Sequence, residues 1–228
     1  LMNTKKKILI LGSTGSIGKS TLNVIKRHKN KIKISCLSSN KNYKKLYQQS
    51  QEFNVKNIII NDHLSFQKAY KLFKNKKIRI YKNISDYLKK HKNKLDLVIV
   101  GISGLHGLKP TLDIIPFTKT LASANKESII CGWRFINDNL KKYNTNFIPI
   151  DSEHFSIWSL INNDKKYISK IYLTASGGPF LNTSLNKLKI ANVRNVTNHP
   201  NWSMGKKIST DSASMMNKVF EVIEASKI

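Results

Sequence analysis

The chain has few cysteines, few acids and no long apolar run. Only Cys36 and Cys131 occur in 228 residues, and they are far apart. That spacing excludes a disulfide framework and a CxxC metal site, and it fits buried free thiols in a reducing compartment. No apolar stretch approaches the ~18 residues of a membrane span. Lys5-Lys6-Lys7 before Ile8-Leu9-Ile10-Leu11 superficially resembles a secretory signal. The run is too short, however, and ends in a glycine-rich turn without a cleavage-type continuation, so a soluble cytoplasmic protein with no membrane partner is expected. Leu1 precedes Met2, as in a translated fragment.

Acidic side chains number 13 against 40 lysines and arginines, a formal charge of +27. Such an excess can mark a nucleic-acid-binding module. No helix-turn-helix, RNP or zinc-finger signature accompanies it, and the lysines are scattered among Asn and Ile. A solvated basic surface that attracts phosphorylated small molecules is the better reading, and no nucleic-acid partner is expected. Repeats and low-complexity linkers are absent too.

What is present is an alternation. Apolar runs at 7–11, 32–37, 55–60, 77–81, 95–100, 118–122 and 147–150 read as strands. Amphipathic stretches at 16–28, 43–53, 65–73 and 84–90 read as helices. Strand followed by helix, repeated, predicts an α/β fold: a Rossmann-like parallel sheet domain over 1–150. From 151 to 228 an α+β catalytic domain is expected, incomplete at its C-terminus. It would have a strand over 168–175, a mobile polar loop up to Trp202, and an amphipathic helix over 212–225 whose Met215, Met216, Val219, Phe220, Val222 and Ile223 make apolar contacts.

Gly12-Ser13-Thr14-Gly15-Ser16-Ile17-Gly18 follows the first strand and opens a helix. There a dinucleotide pyrophosphate meets unsatisfied helix N–H groups, and glycine allows a sharp turn, close phosphate approach and tight packing. An NAD site usually places Asp or Glu roughly twenty residues on, against the ribose 2′-hydroxyl. Here the second strand ends Ser38-Ser39-Asn40-Lys41-Asn42, without a carboxylate. A cation with amides suits a 2′-phosphate, so NADP is predicted over NAD.

Ile148-Pro149-Ile150-Asp151-Ser152-Glu153-His154 places two carboxylates two residues apart. In extended geometry both point to one side, with His154 pointing away. Such oxygens favour Mg2+ or Mn2+ over zinc, although a D-x-E pair alone also fits a solvated turn. Near the C-terminus Asn217 and Glu221, four apart, share a helix face, with Lys218 beside them and Ser212 at the helix start. This face offers a third carboxylate and donors for a phosphate or sugar hydroxyls, or it is an ordinary solvated face.

GSTGSIG at 12–18, SANKES at 123–128, PIDSEH at 149–154, TASGGPF at 174–180, HPNWSMGKKISTDSA at 199–213 and MMNK at 215–218 occur in an order and spacing that resemble the 1-deoxy-D-xylulose 5-phosphate reductoisomerase family. The resemblance covers the whole chain. It implies an oxidoreductase of isoprenoid synthesis by the non-mevalonate route. In that family 1-deoxy-D-xylulose 5-phosphate rearranges and is reduced with NADPH to 2-C-methyl-D-erythritol 4-phosphate.

By the same resemblance, Asp151, Glu153 and Glu221 would hold Mg2+, Mn2+ or Co2+ and act in catalysis with Lys218. Ser152, Ser176, His199, Ser212, Asn217 and Lys218 would bind the sugar phosphate. Thr14, Gly15, Ser16, Ile17, Asn40, Lys41, Asn42, Asn125, Lys126, Glu127 and Gly205 would bind NADPH. The loop around Trp202 would be a lid, and the full-length protein a homodimer.

Two departures stand out: Asn40 and Val219 occupy positions where the family usually has glycine. Asn40 is expected to keep a left-handed turn, and Val219 to crowd its helix. The chain also stops at Ile228, where family members continue into a helical domain; alone, it is expected to expose an apolar helix face and to have reduced activity. A competing NADP enzyme, such as a semialdehyde dehydrogenase, would need an activated nucleophilic cysteine. Cys131, after Ile129-Ile130, reads as helix core instead.

Overall fold

The structure, a computed structural model, describes residues 5–73, 75–161, 168–200 and 205–228. It divides into two units, Leu1–Asp151 and Ser152–Ile228.

The first unit is wound around parallel strands. β1 (Lys6–Leu11), α1 (Ser16–Arg27), β2 (Ile32–Ser39), α2 (Tyr43–Glu52), β3 (Asn57–Ile60), α3 (His63–Phe73), β4 (Arg79–Tyr81), α4 (Ile84–Lys90) and β5 (Leu97–Val100) follow in turn. α5 (Leu108–Ile114), β6 (Thr120–Ser123), α6 (Lys126–Tyr143) and β7 (Asn146–Pro149) complete the unit. Among the described residues the strands form one seven-stranded sheet of order β4-β3-β2-β1-β5-β6-β7 with every pairing parallel.

Both faces of this sheet are covered, which explains why its central strands are continuously apolar. In β1, Leu9 and Leu11 enter one core cluster while Ile8 and Ile10 enter the other. β5 divides in the same way, with Val98 and Val100 on one side and Ile99 on the other. The strand order reverses beside β1, so the carboxyl ends of β1 and β5 open a crevice of the kind where doubly wound sheets bind ligands.

The long helix α6 extends well beyond the helical stretch expected around Cys131. Its backbone departs from helical geometry at Gly132, where an added Cβ would strike Leu108. Ile129, Gly132, Ile136 and Leu140 face inward, and Cys131 lies on the exposed side. The expectation of two buried thiols therefore holds only for Cys36, whose thiol pKa is pushed well above its usual value by burial. Helical phase, invisible in a three-residue apolar run, puts Cys131 outside.

The second unit is helical among its described residues: α7 (Ser152–Ile161), α8 (Leu185–Leu188), α9 (Val193–Thr197), α10 (Lys206–Ala213) and α11 (Met216–Lys227), with a 3-10 turn at Gly178–Phe180. Residues 168–175 form no strand, and Tyr172 within them is 83% exposed. A strand needs a ladder partner, and none exists among the described residues of this unit. The polar stretch expected to be a mobile loop carries α8 and α9, the latter held by an Asn192–Asn195 capping box. Trp202 and its lid lie outside the described residues.

The single helix expected over 212–225 is broken in two, because Met215 adopts left-handed backbone at φ 62°. Ser212 consequently sits in the last turn of α10 rather than at a helix start. Gly178, at φ 68°, approaches α10 so closely that a Cβ there would lie 2.6 Å from the Ser212 carbonyl oxygen. Met215, Met216, Val219 and Val222, expected to supply apolar contacts, are exposed. Asn40 is also unlike its expectation: the left-handed non-glycine residues among those described are Asn54, Asn144 and Met215.

Candidate functional site

In the first unit the glycine turn stands at the reversal of strand order. Gly12, at φ 82°, has room for no side chain: a Cβ would lie 2.6 Å from the Gly101 carbonyl oxygen. Only glycine lets the turns after β1 and β5 abut in this way. Gly18 packs against the backbone of Ser13 just as tightly. Gly15 is the N-cap of α1 and offers no capping side chain, and the first turn of that helix has no acid. The amides of Ser16 and Ile17 therefore belong to a helix start with unsatisfied donors and a positive dipole end, suited to an anion.

The turn is tied to the end of β2, where Ser38 Oγ accepts from the Gly12 amide at 2.9 Å and Thr14 Oγ1 meets Ser39 Oγ at 3.0 Å. Asn40, Lys41 and Asn42 follow that tie, all exposed, and the Asn42 side chain caps α2 by accepting from the Lys45 amide. The pyrophosphate and adenosine candidates thus adjoin one another.

Asn125 has a structural task that its motif does not announce. Its side chain caps α6 by accepting from the Ser128 amide, and it donates to the carbonyls of Ile102 (2.7 Å) and Gly104 (2.9 Å). This one amide ties two carbonyls of the loop after β5 to the start of α6. Lys126 is buried and forms an ion pair with Asp151 at 3.0 Å; Glu127 is partly buried in the first turn of α6.

In the second unit Glu153 does not continue an extended strand beyond Asp151, because Ser152 begins α7 and places Glu153 in its first turn. A carboxylate is favourable there. The side-by-side extended geometry expected for Asp151 and Glu153 is thus replaced by a strand-to-helix junction. Ser152 Oγ donates to Glu153 at 2.6 Å.

From α11, Glu221 brings a buried carboxylate, one oxygen of which lies within 4.8 Å of an oxygen of Glu153. Lys218 Nζ pairs with both, at 3.4 Å from Glu153 and in close contact with Glu221. Asn217 Nδ2 donates to Glu221 from the preceding turn. Lys218, expected as a donor to substrate, is therefore the shared counter-ion of two acids.

Two further pairs lie in this unit. Ser176 Oγ meets His199 Nε2 at 3.0 Å, bringing those two expected residues together, and His199 is buried. His154, expected to point away from the two carboxylates of an extended strand, lies instead with Glu153 in the first turn of α7 and is not idle. It is buried against α11, with Nδ1 3.2 Å from Glu224 Oε2 and Nε2 2.9 Å from the Glu221 carbonyl oxygen. Gly205, at the N-cap of α10, is exposed. Glu224 was not among the expected residues, though a second acid one turn after Glu221 on a helix face was a usable signal.

The first unit defines an α/β protein of the doubly wound class with a glycine-rich first turn, and the second unit adds Glu153 and the buried Glu221, joined through Lys218. The model of the 1-deoxy-D-xylulose 5-phosphate reductoisomerase family matches residues 8–132, and that of the family's C-terminal domain matches 147–228. The chain belongs to the 1-deoxy-D-xylulose 5-phosphate reductoisomerase family.

It is 59% identical over 226 residues to the reductoisomerase of Pelagibacter ubique, covering 98% of this chain and 58% of that protein. It is 43% identical over 223 residues to that of a Thermoanaerobacter species, with 96% and 58% covered. A crystal structure of the reductoisomerase in complex with NADPH, fosmidomycin and magnesium superposes with a TM-score of 0.89 at 35% identity, over 97% of this chain and 58% of that one. The Zymomonas mobilis enzyme in complex with NADPH gives 0.85 at 33% identity, over 98% and 58%. The chain thus spans somewhat over half the length of the relatives it matches. No helix among the described residues is long and apolar enough to cross a membrane.

Proposed function

We propose that this chain carries the cofactor turn and the metal-binding acids of an NADPH-dependent reductoisomerase that converts 1-deoxy-D-xylulose 5-phosphate to 2-C-methyl-D-erythritol 4-phosphate. The observation that carries the reading is the meeting of Glu153 and Glu221 around Lys218 in a family whose solved relatives include complexes with NADPH and magnesium.

The donor set fits a hard divalent cation. Its ligands are all carboxylate oxygens, the donors a hard divalent cation takes. Asp151, two residues before Glu153 in the chain, is the third proposed ligand. The metal, when bound, polarises the substrate carbonyl as a Lewis acid.

The chain's own residues orient and neutralise. Ser152, Ser176, His199, Ser212, Asn217 and Lys218 are the proposed donors to the sugar phosphate. Thr14 to Ile17 would receive the pyrophosphate of NADPH at the start of α1. Asn40, Lys41 and Asn42 would take its adenosine end, where a cation without a carboxylate suits the 2′-phosphate. Asn125, Lys126, Glu127 and Gly205 complete the cofactor set. The full-length protein is proposed to be a cytoplasmic homodimer, and the basic surface to attract phosphorylated small molecules.

The test is NADPH oxidation by the intact chain with 1-deoxy-D-xylulose 5-phosphate, with and without Mn2+, for wild type and Glu153→Gln. Turnover is expected to require the metal and to fall roughly 100-fold or more in the variant, the scale of losing one preorganised electrostatic contact at a reacting centre. Equal rates in the presence of EDTA would remove the metal from the reading.

A further inference from the structure

Only two residues of α11 are buried, and both are acids: Glu221 and Glu224. The metal reading uses Glu221. Nothing in it uses Glu224, which is fully buried in the last turn of the helix, where the negative end of the helix dipole opposes a carboxylate. A carboxylate so placed is retained only where partners compensate it, and His154 is one of them, its Nδ1 3.2 Å away.

The imidazole is committed at both ends. Its Nε2 faces the Glu221 backbone carbonyl at 2.9 Å, and since a carbonyl only accepts, Nε2 carries a proton and donates it. One ring thereby links the helix turn that bears Glu224 to the carbonyl of Glu221 itself. His154 also directly follows Glu153 in the first turn of α7. The ring is a rung between α7 and α11, fastened one residue from one carboxylate and at the backbone of the other.

We infer that Glu224 is a positioning residue, acting through His154 to hold Glu153 and Glu221 at the separation a shared cation needs. The inference rests on the metal reading above and deepens it. Glu224 is not itself a ligand in this account; its carboxylate is turned to the imidazole. Partners that orient metal ligands from behind typically change metal affinity by about 10- to 100-fold when removed.

The experiment measures binding of Mn2+ alone to the intact chain, counting free Mn2+ by electron paramagnetic resonance, with circular dichroism and thermal melting recorded on the same samples. Glu224→Leu is expected to weaken Mn2+ binding by about 10- to 100-fold while the fold is kept. Glu224→Gln, whose amide can still bond His154 Nδ1, by its oxygen to a protonated ring nitrogen or by its N–H to a neutral one, is expected to bind Mn2+ close to wild type. His154→Gln is expected to resemble Glu224→Leu.

Wild-type affinity in Glu224→Leu or His154→Gln, beside a loss in Glu221→Gln, would overturn the positioning role and leave the metal reading standing. Retention of Mn2+ by Glu221→Gln would instead sink the metal reading and this inference with it. Equal losses in Glu224→Gln and Glu224→Leu would make Glu224 a charge or ligand rather than a positioner. Should Glu224→Leu not fold, Glu224→Gln and His154→Gln decide by the same criteria.

Discussion

The two units of this chain differ in what they bury: a large apolar core with some polar side chains in the first, and polar side chains among the described residues of the second. The first buries what hydrophobic patterning says it should: Leu9, Ile10, Leu37, Ile58 and Val98 are 0% exposed. In the second, the buried residues include His154, His199, Ser209, Glu221 and Glu224, while Leu160, Tyr172, Ile190 and Val222 are exposed. A parallel sheet covered on both faces is stabilised chiefly by apolar area. A unit that buries acids against histidine and lysine spends stability on placing charge, as binding and catalytic sites do.

The contrast is open to attack at several points, the largest effect coming first. Leu37→Ala removes a fully buried side chain from β2, in contact register with Ile10 and Ile58, and is expected to cost about 3 kcal/mol in chemical denaturation. A loss below about 1 kcal/mol would mean that the sheet core can collapse around the gap, and that the first unit is not as tightly packed as its burial implies.

A smaller effect is expected at Asp96, where Lys119 Nζ and the Lys7 amide both donate to the carboxylate at 2.8 Å. Those donors, the lysine first, hold its pKa below the usual carboxylate value. Because the folded pKa is depressed, the stabilisation is present above the ordinary carboxylate range and is lost as pH falls through the lowered value. Asp96→Asn should therefore cost about 1 kcal/mol near neutral pH, as a partly exposed pair does, and the gap from wild type should close on acidification. A gap independent of pH would assign the effect to shape rather than charge.

The smallest effect is expected in the second unit. Val222 is 54% exposed on α11, so Val222→Ser should shift the melting free energy by no more than about 0.5 kcal/mol. A loss as large as that of Leu37→Ala would show that α11 is packed on its apolar side, and the contrast between the units would dissolve.

Much of the first unit was legible because each cue was local and periodic. Continuous apolar runs at β1 and β5 declared strands buried on both faces, and the spacing of glycines 12, 15 and 18 declared a strand-turn-helix. Helices α5 and α6 were harder. The α6 pattern is interrupted at Gly132, and the reason for that glycine, contact with Leu108, is distant in sequence. The candidate site residues were named by motif, but what their side chains do was not. Asn125 as the strut of the loop after β5, Lys126 as the partner of Asp151 and Lys218 as counter-ion of two acids are relations between elements.

The second unit was misread wherever hydrophobicity was taken as a guide to burial. The apolar residues of 168–175 suggested a strand that has no ladder partner among the described residues, and those of 212–225 suggested one amphipathic helix where Met215 breaks the chain in two.

By itself, then, the order of residues determined the α/β winding, the glycine turn and the family's motifs, because periodicity, backbone permissiveness and short-range spacing are properties of neighbours along the chain. Which acid is buried, which lysine neutralises it and which imidazole holds it in place were decided only in three dimensions. The cost of burying a charge depends on what surrounds it, and residues 153, 154, 218, 221 and 224 become one another's surroundings only when α7 and α11 pack.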